Sequence, residues 1–262
     1  MKKLFILLAF FTLNCTFGQL RKGIVYYGYI DSKLMGNSKG ADTNAYMVFN
    51  KEQSYYVTAK DSLERGEIIH KEKITENEDG SGGVISSGMQ VDKQGQQVVY
   101  SIRKNTMWSN LIYKEPIYVK EIAPKINWEI EKETKKIGAF MCKKATTNFR
   151  GRDYTAWFTI EVALPFGPWK LNGLPGLILE AYDTNKNVYW YFKNIEYPTK
   201  NKTNVKYISA PKGMEFKSYE DFKIFQKKMQ NLSIDKNRIV GKKFPNVIFP
   251  DPKLSEMFIE FE

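Results

Sequence analysis

The chain has 262 residues, with 40 Lys and Arg against 29 Asp and Glu, 42% hydrophobic and 15% aromatic. That composition is too apolar and too aromatic for a disordered chain, and the length allows one large β-rich domain or two small ones, either with a sizeable core. A lone His and two Cys, one of them Cys15, exclude multi-His metal sites, a Cys-rich zinc site and a disulfide scaffold.

Lys2 and Lys3 precede an apolar run, Leu4 to Leu13, broken only by Thr12, and the small residues Thr16 and Gly18 stand at −3 and −1 of a cut before Gln19. This pattern predicts a signal peptide over 1–18 and a single mature β-rich domain over 19–262. The run is short for a permanent membrane helix. Asn14 stands where a small residue precedes a lipidated Cys, so Cys15 does not read as a lipid anchor. The expected setting is export to the periplasm or the cell exterior, with outer-membrane association open, as a soluble chain whose one thiol is Cys142. The net charge of +11 is carried by lysines spread over most of the chain. They read as solvated faces, with no nucleic acid expected; an envelope glycan, a lipid or an outer-membrane protein is the more natural partner.

In chain order, 23–30 is rich in β-branched and aromatic residues and predicts a strand. Residues 45–50 and 54–59 predict a hairpin around Lys51-Glu52-Gln53. The Gly-rich stretch 61–95 predicts a long loop with short strands. Strand signals resume at 97–103, 111–113 and 117–121. Three antiparallel strands follow at 127–131, 137–148 and 154–162, the last two joined by a tight turn carried by Gly151. Residues 177–183 and 188–195 flank the turn Thr184-Asn185-Lys186-Asn187, and 205–209 adds a strand. Ser218 and Asp221 have capping-box spacing, and Tyr219, Phe222, Phe225 or Gln226, Met229 and Leu232 share one face, so a helix is predicted over 218–231. Strands without alternating helices imply a mainly β fold: a strongly curved antiparallel sheet, an open barrel or bowl, with one C-terminal amphipathic helix.

Residues 137–180 form the sharpest segment. Leu174-Pro175-Gly176-Leu177 predicts a type II turn with positive φ at Gly176, Gly173 stands ahead of it, and Leu177-Ile178-Leu179 follows as a central strand. Phe166-Gly167-Pro168-Trp169 is a second turn. These residues resemble the GLPGLI family, secreted proteins of the Bacteroidetes named for the hexapeptide that stands intact at Gly173, Leu174, Pro175, Gly176, Leu177 and Ile178. Ile137-Gly138, Phe140, Cys142-Lys143-Lys144-Ala145, Gly151-Arg152, Tyr154, Ala156-Trp157 and Gly167-Pro168-Trp169-Lys170 also match. Ala163-Leu164-Pro165 departs from the family, where a β-branched residue before Pro is commoner. The family implies no catalytic residues. A weaker similarity to the bowl-shaped N-terminal domain of a bacterial peptide-N-glycosidase implies the fold and an accessory or binding role.

Alternation places Arg152, Tyr154, Ala156, Phe158 and Ile160 on one face and Thr155, Trp157, Thr159 and Glu161 on the other. Trp157 among Thr and Glu suits an aromatic platform for a sugar or peptide, and equally a ring covering a loop. Trp157, Trp169, Trp190 and Tyr154 are the candidate binding residues. Glu180 lies in an apolar strand and calls for a cation, Lys144 or Arg152. An acid–base role for Glu180 requires a second carboxylate, Glu161 or Asp183. Cys142 reads as a small core residue, His70 being the one imidazole available to it. No phosphate loop, nucleophile elbow, dinucleotide fingerprint or metal-ligand spacing is present, so no cofactor, metal or catalytic residue is assigned. The leading reading is a non-enzymatic binding or accessory protein of the cell envelope, using the concave face of its sheet. The alternatives are an assembly partner of outer-membrane machinery and a carboxylate-dependent hydrolase of glycans or peptides.

Overall fold

A computed structural model describes residues 22–33, 40–58, 71–76, 82–87, 95–113, 115–202, 215–243, 245–246 and 248–262. The predicted leader, His70 and the predicted strand at 205–209 lie outside the described residues. Among the described residues there are thirteen strands: β1 (Gly23–Asp31), β2 (Ala41–Phe49), β3 (Gln53–Thr58), β4 (Lys71–Glu76), β5 (Gly82–Ser87), β6 (Gln97–Ser101), β7 (Thr106–Tyr113), β8 (Glu115–Ile122), β9 (Glu129–Ile137), β10 (Phe140–Phe149), β11 (Arg152–Thr159), β12 (Leu177–Asp183) and β13 (Val188–Glu196). Two helices follow, α1 (Tyr219–Lys243) and α2 (Leu254–Met257). β4 and β5 form a separate hairpin, and the others make one 11-stranded antiparallel sheet ordered β8-β7-β6-β3-β2-β1-β13-β12-β11-β10-β9.

The sheet is mainly β, antiparallel and not closed, as the sequence predicts, and chain connectivity dictates its curvature. β8 and β9 are opposite edges, yet only residues 123–128 link them. Laid flat at ~4.8 Å per strand, eleven strands would be roughly 48 Å wide, whereas the link from Ile122 to Glu129 reaches at most roughly 25 Å. The sheet must therefore bend until its edges approach one another.

Local sequence explains the turns. Arg150 (φ 53°) and Gly151 (φ 81°) give the β10–β11 hairpin two left-handed central residues, the pattern that matches strand twist. Gly138 (φ 58°) turns the chain between β9 and β10, where the sequence reading ran one strand from Ile137. At α1 the capping box forms: Ser218 Oγ accepts from the Asp221 N–H (3.1 Å), and the Asp221 carboxylate accepts from the Ser218 N–H (3.0 Å) and hydroxyl (2.7 Å). Those hydrogen bonds from Ser218 hold the Asp221 carboxyl below its usual range. The helix runs on to Lys243, past the predicted end at 231, and finishes with Lys242 and Lys243 on the favourable side of its dipole.

The concave face of the sheet is filled by the chain itself. Two segments enter it: the loop containing Phe166–Leu174, and the tail after α2. Trp190 on β13 is fully buried, stacked between Tyr29 (5.4 Å) and Trp169 (6.0 Å), and its indole N–H donates to the Tyr56 hydroxyl at 2.7 Å. Phe222 of α1 packs against Val119 of β8 and edge-on to Phe258 of the tail. A second buried cluster, including Ile24, Tyr46, Val48 and Tyr55, lies on the opposite side of β1, β2 and β3. These central strands are thus buried on both faces.

Candidate functional site

The residues singled out around the hexapeptide form a closed structural lock. Lys170 has no exposed side-chain surface; its ammonium pairs with Glu121 of β8 (2.8 Å) and with both carboxylate oxygens of Glu260 in the tail (2.7 and 2.9 Å). Arg150 shares Glu121 and lays its guanidinium 3.2 Å over the Tyr219 ring at the start of α1. Arg152 reaches Asp183 at 2.7 Å and donates to the carbonyls of Ser255, Phe258 (3.0 Å) and Ile259 (2.8 Å). These contacts tie the β10–β11 turn, the Trp169 loop, β8, α1 and the C-terminus together. Each of these buried charges has an opposite charge, which is what makes burial of ions tolerable, while Arg150 Nη1 has no hydrogen-bond partner among the described residues.

The predicted partners of Glu180 change. Tyr154 is opposite Asp183 in the register, and Trp157 is opposite Glu180. Arg152 shares the inward face of β11 with Tyr154 and so meets Asp183, while Glu180 faces outward and takes Lys135 at 2.8 Å. Lys144 pairs with Glu131 and Glu133 across the β9–β10 hairpin. Ile160, expected inward, is exposed because β11 ends at Thr159 after a register shift at Trp157/Phe158.

Of the candidate binding residues, Tyr154, Trp169 and Trp190 are 1%, 7% and 0% exposed and pack on one another as core. They have no ring face free for a ligand, which corrects the reading of the concave face as a binding surface. Trp157 stands on the other side of the sheet, 7% exposed, with the Lys135 ammonium 4.4 Å above its ring. Its apolar surface is thereby covered by the ion pair to Glu180.

The hexapeptide bends differently from the type II prediction. The positive φ belongs to Gly173 (91°), not to Gly176. Gly176 is required for close approach instead: a Cβ there would lie 2.1 Å from the Thr159 carbonyl oxygen. Leu174, Leu177 and Ile178 are buried beneath it, Pro175 is exposed, and the Ile178 carbonyl accepts from the Tyr27 hydroxyl at 2.7 Å. Gly176→Ala is expected to cost about 1–3 kcal/mol through overpacking against backbone. Gly173→Ala meets nothing within 4 Å and pays only for its left-handed φ, about 1–2 kcal/mol. Urea unfolding of the two variants, compared with wild type, checks the order.

Cys142 is fully buried, and burial pushes its thiol up to about 11. In a chain beginning at Gln19, native labelling by a thiol reagent at pH 8 is expected to run about 10³-fold slower than in denaturant. Fast stoichiometric labelling would show that β10 opens locally.

An open space lies on the convex side, over β3, β6, β7 and β8. It is a cleft of about 150 Å³ lined by Gln53, Val99, Ser101, Lys104, Thr106, Met107, Trp108, Lys120 and Phe216. Trp108 is opposite Val99 on one side and Lys120 on the other, so the three share a face. Phe216 stands edge-on to Trp108 at 6.0 Å, with the Lys120 ammonium 5.8 Å from its ring centre. Trp108 is 7% exposed, and its indole N–H has no acceptor. The sequence reading missed this site because it began the strand at Leu111. The alternation Thr106, Trp108, Asn110 was the available signal. On the concave side a space of about 20 Å³ lies near Trp169, Phe258 and Glu260, room for roughly one water.

Apolar exposure on α1 is limited to single residues such as Ile224, Leu232 and Ile239, about two turns apart. That spacing is unlike a continuous docking patch. Among the described residues no helix is long and apolar enough to cross a membrane, and no group of three or more potential ligands could hold a metal ion.

Residues 118–221, from β8 into α1, match the family described as N-glycanase peptide, N-terminal domain. The fold is similar to solved structures of PNGF-II in the P21 space group (14% identity, TM-score 0.48) and the C2 space group (13% identity, TM-score 0.47). These alignments cover 77% and 76% of this chain and 32% of each PNGF-II chain, so the protein spans about a third of their length. No curated protein matches.

Proposed function

We propose that this protein is an exported, non-enzymatic glycan-binding or accessory domain of the cell envelope, and that it holds its ligand in the Trp108 cleft. The observation that carries the reading is the cleft itself, where Trp108 and Phe216 stand beside a polar rim of Gln53, Ser101 and Thr106. Sugars present the complementary arrangement, an apolar ring face edged with hydroxyls. The match of 118–221 to the N-terminal domain of an N-glycanase peptide supports a glycan as the ligand class. The signal-peptide pattern and the resemblance to secreted GLPGLI proteins support the exported setting. A binding role is favoured over hydrolysis because Glu121, Asp183, Glu260 and Glu180 are each committed to an ion pair, and among the described residues no carboxylate lines the cleft.

The test is a thermal-shift screen of the chain from Gln19 against envelope oligosaccharides. A ligand at 100 times its Kd stabilises by about 2.7 kcal/mol. The shift is expected to disappear in Trp108→Ala and persist in Trp157→Ala. Absence of any glycan-induced shift, or one indifferent to Trp108, overturns the reading.

A further inference from the structure

The cleft also carries a charge signature, and from it we infer that the ligand is an anionic sugar: a single ring bearing a carboxylate or sulfate, with its ring on Trp108 and its charge between Lys104 and Lys120. This rests on the glycan reading of the same site. Among the described residues two lysines line the cleft and no Asp or Glu does. Neither lysine has an ion pair among the described residues; the Lys120 ammonium lies 5.8 Å from the Phe216 ring centre, and both lysines are exposed. Two cations beside Trp108 and Phe216, with no carboxylate in the described lining, favour an anion at this rim.

The Trp108 indole N–H is buried without an acceptor among the described residues, as is that of Trp157. Free phosphate would satisfy the lysines but leave Trp108 and Phe216 without a partner. A neutral sugar would satisfy these rings but not the lysines. The size of the cleft, about 150 Å³, is well below that of a pocket for a drug-sized ligand and suits a terminal or branch residue of a longer glycan.

Titration calorimetry on the chain from Gln19 separates the outcomes. The probes are an oligosaccharide ending in a hexuronate, the same oligosaccharide with its carboxyl reduced to an alcohol, inorganic phosphate, and a short oligodeoxynucleotide. The hexuronate is expected to bind at least tenfold more tightly than its reduced form and to weaken as salt rises from 50 to 500 mM, as exposed charge pairs do. Lys104→Gln and Lys120→Gln should each weaken the hexuronate severalfold and the reduced form less. Both lysines are exposed, so neither change should disturb folding. Trp108→Phe should weaken both sugars. Equal binding of acidic and reduced sugar, lost in Trp108→Phe, would overturn the anionic inference and leave the glycan reading standing. Preference for phosphate or the oligonucleotide, or no binding by any probe, would overturn both.

Discussion

Lys170→Met is expected to lower the melting temperature by roughly 6–20 °C. The substitution keeps most of the side-chain volume and removes the ammonium shared by Glu121 and Glu260. Breaking a buried ion pair from one side costs about 3–5 kcal/mol, because the orphaned charge stays desolvated. For a chain of this size each kcal/mol moves the transition by about 2–4 °C. The two carboxylates are not equally stranded. Glu121 keeps Arg150, whereas Glu260 loses its ammonium partner. Adding Glu260→Gln to Lys170→Met should therefore recover part of the loss, while Glu260→Gln alone should be destabilising. Calorimetric melts of the three variants at one pH test this. If the double variant is no more stable than Lys170→Met, the cost lies in packing and not in charge.

Ending the chain before Leu254 is expected to abolish cooperative folding. The nine residues removed include the buried Phe258, Ile259 and Glu260. Their loss deprives Arg152 of all three carbonyl acceptors, Lys170 of Glu260, Phe222 of its edge-on partner and the Gln226 amide of the Glu260 carbonyl. Each unpaired buried donor costs about 1–3 kcal/mol, and charged ones cost more. Their sum rivals the whole stability of a domain, about 5–15 kcal/mol. The truncated chain should bind a hydrophobic dye and lose near-ultraviolet dichroism while keeping strand signal. A sharp transition near the wild-type temperature would mean that the tail merely rests on the sheet.

Local rules carried well where the signal was local. The β12–β13 hairpin, the Gly151 turn and the capping box at Ser218 each depend on residues within a few positions, and each forms as read. The antiparallel class was legible for the same reason. What failed depended on residues far apart in the chain. Trp169, Trp190 and Tyr154 are ordinary aromatic residues in the sequence, and only the entry of the 166–174 loop and the tail into the concave face makes them core. Arg152 found Asp183 because register, not charge, selects its neighbour. Lys170 carried a motif match yet gave no hint that two carboxylates, 49 positions upstream and 90 downstream, would bury it. The Trp108 cleft was hidden because its rim is assembled from β3, β6, β7, β8 and Phe216.

The placement of β1 has a consequence for how the chain comes to be folded. Its first described strand lies mid-sheet, between β2 and the last strand, with Ile24 opposite Glu196 and Asp31 opposite Val188. The seam joining the two halves thus unites segments from opposite ends of the chain, and closing such a long loop makes sheet assembly slow. During synthesis, β1 emerges early and one of its edges has no mate until β13 follows. Until then the growing chain presents the run Ile24-Val25-Tyr26-Tyr27 as an open strand edge, a site for wrong pairing. The late-completed seam therefore leaves a long interval in which the polypeptide is threadable and vulnerable at once. A holdase that shields the first strand should raise the yield of folded protein more than one acting on the C-terminal half.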